Sequence, residues 1–147
     1  MKIIAIRGVS NSGKTHSFWA FYDNYIVRLP EFCIQKSKSG HRKKGVGGVF
    51  GAERGKDYSL VATYCGKRIG VISMGDKREL IEENFRYVGD CDVVICASHL
   101  RGQTVEYVKA KADGAIKWIN KRKGMGDERA IADEMYCKLQ QTVKELS

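Results

Sequence analysis

The segment that decides the fold runs from residue 2 to residue 22 and reads KIIAIRGVSNSGKTHSFWAFY. Residues 2–7 are a short apolar run, which predicts a buried strand. Residues 14–22 predict a helix that carries aromatic side chains on more than one face. Between them, residues 8–15 fit the pattern G-x-x-x-x-G-K-[ST]. A strand that enters a glycine-bounded turn and leaves as a helix is the arrangement that this pattern requires.

The residue types of this turn suit a chain of phosphates. Glycines let the backbone curl so that several N–H groups face one point, and the following helix directs its positive end there. Lys14 can reach the β- and γ-phosphates, and the Thr15 hydroxyl can bind Mg²⁺. The predicted phosphate-binding residues are Gly8, Ser10, Asn11, Ser12, Gly13, Lys14 and Thr15.

Residues 2–22 resemble the strand, loop and helix of the P-loop NTPase superfamily, and the pattern at residues 8–15 carries the resemblance. No particular family within it is identified. The resemblance implies a doubly wound sheet, a nucleoside triphosphate ligand and Mg²⁺. ATP is the default nucleotide, because residues 120–123, Asn-Lys-Arg-Lys, follow a predicted strand but have Lys123 where the guanine-reading N-K-x-D pattern has an acid.

The remainder of the chain alternates between strand and helix signals. A hairpin is predicted where two β-rich runs meet at Cys65-Gly66. The other predicted strands cover 31–35, 93–97 and 115–119, and the other helices cover 77–87, 103–112 and 127–146. This order predicts one domain over residues 1–147, of the α/β class, with three layers and a mostly parallel sheet that includes an antiparallel hairpin strand.

A second magnesium ligand should lie at the carboxyl ends of the parallel strands, where α/β sheets bind ligands. Asp76 follows a predicted strand, so we expect it to hold Mg²⁺ with Thr15, although it is also a natural helix cap. Asp92 precedes a strand and should lie at the opposite edge. Ser98, His99 and Arg101 follow the run 93–97 and should reach the ligand edge. The predicted catalytic residues are therefore Lys14, Asp76 and Arg101.

Residues 36–57 are rich in lysine, arginine and glycine and show neither helical nor strand periodicity. They predict a long mobile loop. Such a loop could close over phosphates as a lid, contact nucleic acid or another anionic partner, or be a solvated insertion. The net charge of +9 favours anionic partners without choosing between them.

Three functions remain open at this stage. The first is Mg²⁺-dependent hydrolysis of ATP, the second is a kinase that transfers the γ-phosphoryl group to a small molecule or nucleotide, and the third is a nucleotide-dependent switch or nucleic-acid module. Apolar runs are too short to span a membrane and the N-terminus does not resemble a signal peptide, so a cytoplasmic protein is expected. Five cysteines without C-x-x-C spacing predict reduced thiols.

Overall fold

The computed structural model describes residues 1–8, 14–39, 42–43, 56–74, 77–99, 102–121 and 126–147. The strands are β1 (Lys2–Arg7), β2 (Phe32–Ser39), β3 (Arg42–Lys43), β4 (Tyr58–Tyr64), β5 (Lys67–Ile72), β6 (Val93–Ser98) and β7 (Lys117–Asn120). The α-helices are α1 (Lys14–Phe21), α2 (Arg78–Val88), α3 (Gln103–Lys111) and α4 (Glu128–Glu145), and a π-helical turn, Tyr22–Ile26, continues α1.

All seven strands form one sheet in the order β3-β2-β4-β5-β6-β1-β7. The neighbours from β5 through β6 and β1 to β7 are parallel, whereas β5–β4, β4–β2 and β2–β3 are antiparallel. The expectation of a mostly parallel sheet is therefore corrected, because half of the strand pairings are antiparallel. The hairpin strand β4 does not end the sheet: its outer side pairs with β2, which extends the antiparallel half.

Helices cover both faces of the sheet, so the α/β class and the three layers are confirmed. Successive side chains of β1 point to opposite faces of the sheet, as expected for a strand buried on both sides. The hydrophobic core therefore has two parts, one on each face. Ile4 and Ile6 pack on the face covered by α1 and α4. Ile3 and Ala5 point the other way, to the face covered by α2 and α3. The strand that leads into the glycine-bounded turn is thus the centre of the core.

The predicted hairpin is present and turns at Cys65-Gly66. Both residues have positive φ, 50° and 79°, as the two central residues of a type I′ turn require. The register pairs Tyr64 with Lys67 and Ser59 with Ile72. Consequently the start of β4 lies beside the end of β5, which places the residues before β4 at the carboxyl edge of the parallel strands.

The predicted loop of residues 36–57 begins too early. Residues 36–39 continue β2, where Lys38 pairs with Ser59 and Ser39 with Tyr58, and residues 42–43 form β3. Residues 40–41 and 44–55 lie outside the described part of the chain, so the lid and nucleic-acid interpretations of that segment stay predictions. Within the described ranges, no helix is both long and apolar enough to cross a membrane.

Candidate functional site

The glycine-bounded turn starts where β1 ends and finishes where α1 begins, as the sequence predicts. Gly8 is fixed to the next strand, because its N–H donates to the carbonyl of Ser98 at 3.1 Å. The intervening residues 9–13 lie outside the described chain, so the roles of Ser10, Asn11, Ser12 and Gly13 stay predictions. What the structure does place is the two ends of the turn.

Lys14 is buried at the first position of α1, with a relative exposure of 6%. Its ammonium Nζ donates to the carbonyl oxygen of Gly8 at 2.6 Å, so the side chain reaches from the start of α1 to the residue that follows β1. An ammonium removed from water needs oxygen partners. A carbonyl supplies only a partial negative charge, and a phosphate oxygen at the same place would satisfy the ammonium more fully.

Thr15 and Ser73 converge on one carboxylate that the sequence analysis did not select. Thr15 Oγ1 donates to Asp57 Oδ1 at 2.9 Å, and Ser73 Oγ donates to the same oxygen at 3.1 Å. Ser73 Oγ in turn accepts the N–H of Tyr58 at 2.7 Å. Residues distant in sequence therefore meet at the start of α1, the start of β4 and the end of β5.

The sequence did not indicate Asp57, because a magnesium ligand is expected to follow a parallel strand. Asp57 precedes β4, which is antiparallel to β5, so its position before a strand brings it to the same edge. The available signal was the predicted hairpin itself. In a hairpin, the residues before the first strand lie beside those after the second, and the register here places Ser73 opposite Tyr58, the residue that follows Asp57.

The residues on either side of Asp57 are hydrogen-bonded to α1. Trp19 Nε1 donates to the carbonyl of Lys56 at 2.8 Å, and the hydroxyl of Tyr58 donates to the carbonyl of Phe18 at 2.6 Å. Tyr58 is buried, and burial raises the pKa of its hydroxyl well above the ordinary value, so the hydroxyl stays a donor. These contacts hold the carboxylate beside Thr15.

The oxygen atoms at this edge suit a small, hard cation. Hydroxyl groups from Thr15 and Ser73 and a carboxylate from Asp57 are ligand types that Mg²⁺ accepts, and Mg²⁺ commonly needs only one or two protein carboxylates besides phosphate and water. Within the described residues, no three His, Cys, Asp or Glu side chains form a metal-binding group. Thr15, Ser73 and Asp57 are therefore oxygen donors of a kind that could contribute to a Mg²⁺ site.

The sequence analysis considered two acids, Asp92 and Asp76, and the structure describes only the first. Asp92 lies at the opposite edge, as expected, where its Oδ2 accepts the N–H of Arg68 at 2.8 Å. Asp76 lies outside the described residues, so its role as a magnesium ligand stays a prediction. The described residue nearest to it on the β5 side is Met74, which follows Ser73.

The end of β6 lies between β5 and β1, and so between Ser73 and Gly8. Ser98 is fully buried and its Oγ donates to the carbonyl of His99 at 3.0 Å. His99 is half-buried at the carboxyl edge, as the sequence predicts. Arg101 lies outside the described residues, and its catalytic role also stays a prediction. The structure thus brings His99 to the edge where Lys14, Thr15 and Asp57 lie.

Lys121, the residue after β7, makes structural contacts with β1 and with the start of α4. The ammonium of Lys121 is buried and forms an ion pair with Asp127 Oδ1 at 2.5 Å. The backbone N–H of Lys121 donates to the carbonyl of Arg7. Arg7 Nε also donates to Asn120 Oδ1 at 3.1 Å. Asp127 occupies the N-cap position of α4 without a side-chain capping bond. This pair joins the tip of β7 to the start of α4.

Comparison of the chain with protein families, with characterised proteins and with solved structures finds no match.

Proposed function

We propose that this protein is a Mg²⁺-dependent, ATP-binding P-loop protein that hydrolyses ATP. The observation that carries the proposal is the hydrogen bond of Thr15 to Asp57 at 2.9 Å, next in the chain to the buried Lys14, whose ammonium contacts the carbonyl of Gly8. The sequence pattern alone asks for the lysine and the threonine. Asp57 is not part of that pattern, and it reaches Thr15 because it precedes β4. Its position therefore supports the same chemistry independently.

In this proposal, Lys14 exchanges the carbonyl of Gly8 for oxygens of the β- and γ-phosphates. The exchange is favourable because a charge-assisted hydrogen bond is roughly twice as strong as a neutral one. The N-terminus of α1 begins at Lys14, and the positive end of the helix dipole also favours an anion there. Burial of Lys14 strengthens these interactions, because water screens them less.

Thr15 and Asp57 would hold Mg²⁺, with Ser73 fixing the orientation of the carboxylate. When bound, Mg²⁺ neutralises charge on the phosphate oxygens and polarises the phosphorus towards attack. Asp76 is a further proposed ligand, directly or through water. Asp57 already accepts hydrogen bonds from Thr15 and Ser73, so its carboxylate is oriented before any ligand arrives.

Hydrolysis needs a water molecule oriented towards the γ-phosphate. His99 is proposed to position it, because β6 brings this side chain to the edge between Ser73 and Gly8. Arg101 is proposed to meet developing negative charge on the phosphate. Both roles depend on the phosphate chain lying across the tips of β1 and β6, which is where Lys14 directs it.

The test compares two lysines with equal burial. Lys14 and Lys38 each have a relative exposure of 6%, but Lys38 stacks on Tyr87, with Nζ 4.7 Å from the ring centroid. Lys14→Met should abolish ATP binding and phosphate release, whereas Lys38→Met should retain both. Circular dichroism and thermal unfolding report whether each variant folds. Unchanged ATP affinity in a folded Lys14→Met protein would refute the proposal.

The same assay shows whether water or a small molecule accepts the γ-phosphoryl group. Phosphate release from ATP and Mg²⁺ alone supports hydrolysis. ATP consumption that starts only when a pool of small metabolites is added would replace hydrolysis with phosphoryl transfer to one of them. Tight nucleotide binding without turnover in either condition would leave a nucleotide-dependent switch.

A further inference from the structure

Two lysines of β2 contact the ring of one tyrosine of α2. Lys36 and Lys38 are two residues apart on the strand, so their side chains lie on the same face of the sheet. Nζ of Lys36 is 4.4 Å from the centroid of the Tyr87 ring, and Nζ of Lys38 is 4.7 Å from the same centroid. The two nitrogens therefore lie within about 9 Å of each other. These three side chains are called the lysine–tyrosine cluster below.

The lysine–tyrosine cluster has more hydrogen-bond donors than acceptors. Lys36 Nζ donates to the backbone carbonyl of Tyr87 at 2.6 Å. Among the residues that the structure describes, no oxygen accepts a hydrogen bond from Lys38 Nζ, although Lys38 is buried. The hydroxyl oxygen of Tyr87 is also buried and has no partner among those residues. Because buried polar groups are normally hydrogen-bonded, two neighbouring donors of this kind point to a partner that carries oxygen acceptors.

The surroundings of Lys38 favour its neutral form. Burial lowers the pKa of its ammonium from the ordinary value, the charge of Lys36 lowers this pKa further, and Glu83, an exposed residue of α2, opposes the shift. Of the exposed lysines in a protein, only about one in a thousand is neutral at pH 7.4. A desolvated lysine beside a second cation has a larger neutral fraction, and its neutral amine is a nucleophile.

Burial also limits which electrophiles can reach this amine. Only 6% of Lys38 is exposed, which excludes bulky reagents. Carbon dioxide has three atoms in a line and no charge, so it can reach positions that are closed to larger molecules. Its product with an amine is a carbamate, which carries a negative charge and two oxygen acceptors.

We propose that Lys38 is a carbamylation site, at which CO₂ forms a carbamate that accepts the Tyr87 hydroxyl and is attracted by the Lys36 ammonium. The carbamate is the acceptor that the two donors of the cluster call for. It also relieves repulsion, because one positive and one negative charge replace two positive charges at the same ring. The proposal does not involve Lys14, Thr15 or Asp57, so it and the proposed ATP site can fail independently.

The reaction is the addition of an amine to carbon dioxide. The Lys38 ammonium first loses a proton to solvent, and the lone pair of the neutral Nζ attacks the carbon of CO₂. An N–C bond forms, the electron pair of one C–O π bond moves to its oxygen, and the nitrogen releases a second proton to solvent. The product is Nζ–COO⁻ with one hydrogen left on the nitrogen. Nothing is oxidised or reduced, and removal of CO₂ reverses the reaction.

The test exposes the folded wild-type protein to isotopically labelled bicarbonate in equilibrium with CO₂ at neutral pH. Triethyloxonium ion traps the carbamate as its ethyl ester, and peptide mapping by mass spectrometry then gives the occupancy at each lysine. Lys111 is the internal control, because its Nζ lies 5.5 Å from the centroid of the Tyr107 ring but the residue is exposed. Lys38 should reach half-occupancy at a CO₂ concentration at least about tenfold lower than Lys111, which is the effect of one hydrogen bond to a charged group.

A variant tests the hydroxyl and keeps the ring that both lysines contact. Tyr87→Phe should raise the CO₂ concentration for half-occupancy of Lys38 by about tenfold. The matched control is Tyr107→Phe, which should leave the occupancy of Lys38 unchanged. The proposal is overturned if wild-type Lys38 carries no trapped carbamate, if Lys111 is occupied equally, or if folded Tyr87→Phe keeps the wild-type occupancy. The comparison of Lys38 with Lys111 in the wild type decides the matter even if a variant fails to fold.

Discussion

Replacement of Asp57 by asparagine separates the charge of this residue from its shape. The carboxylate accepts hydrogen bonds from Thr15 at 2.9 Å and from Ser73 at 3.1 Å, and asparagine retains an oxygen acceptor for them. Because a charged acceptor roughly doubles the strength of a hydrogen bond, each bond should lose about 0.5–1 kcal/mol. The free energy of unfolding should therefore fall by roughly 1–2 kcal/mol, and the fold should survive.

The effect on magnesium should exceed the effect on stability. Two unit charges about 4 Å apart, at an effective dielectric constant near 20, interact by on the order of 4 kcal/mol before desolvation is counted, and Mg²⁺ carries two positive charges. Part of this is offset, so we expect the gain in ATP affinity on adding Mg²⁺ to shrink by about tenfold or more, equivalent to ~1.4 kcal/mol. Affinity without Mg²⁺ should change little, because Lys14 is intact.

The assay is isothermal titration calorimetry with a non-hydrolysable ATP analogue, with and without Mg²⁺. The matched control is Asp92→Asn, which neutralises an exposed carboxylate at the opposite edge of the sheet, where it accepts the N–H of Arg68. This control should behave as the wild type does. A Mg²⁺-dependent affinity that is equal in Asp57→Asn and wild type would refute the role of Asp57 and leave it as a purely structural acceptor.

Three further substitutions test other parts of the account. Ser73→Ala should lower the free energy of unfolding by about 1–3 kcal/mol, measured by urea denaturation, because the buried N–H of Tyr58 loses its 2.7 Å acceptor; unchanged stability would contradict that hydrogen bond. Asp76→Asn should weaken the Mg²⁺ dependence of ATP turnover, and a loss of thermal stability alone would indicate a purely structural role instead; the N-cap position of α2 itself is held by Lys77. Gly70→Ala should lower the free energy of unfolding by about 1–3 kcal/mol, because the new Cβ would lie 3.1 Å from Val88 Cβ and 3.2 Å from Cys91 Sγ; a wild-type melting temperature would contradict this packing.

The strand and the helix on either side of the candidate site could be predicted from the sequence alone. An apolar run, a glycine-bounded turn and a helix follow one another in residues 2–22, and local signals of this kind do not depend on distant contacts. The structure places β1 and α1 as expected, with Lys14 at the first position of the helix. The hairpin was also predictable, because Cys65-Gly66 separates two β-rich runs.

The sequence was insufficient where structure depends on a partner strand. Residues 36–39 read Lys-Ser-Lys-Ser, with no apolar alternation, yet they form the second half of β2 because their backbone pairs with β4. Lys38 is buried there, although charged side chains usually indicate exposure. Asp57 was overlooked for a related reason, since its position depends on the direction of β4. Asp127 occupies the N-cap position of α4, but its carboxylate pairs with the buried Lys121, a contact between distant residues that local signals do not show.

The central claim is that the turn between β1 and α1 holds a triphosphate together with Mg²⁺. The most direct measurement is a crystal structure with a non-hydrolysable ATP analogue and Mg²⁺. We predict that Lys14 Nζ leaves the carbonyl of Gly8 and contacts phosphate oxygens, with the metal beside Thr15 and Asp57. A structure in which Lys14 stays on Gly8, Thr15 stays on Asp57 alone and the nucleotide lies elsewhere would contradict the account.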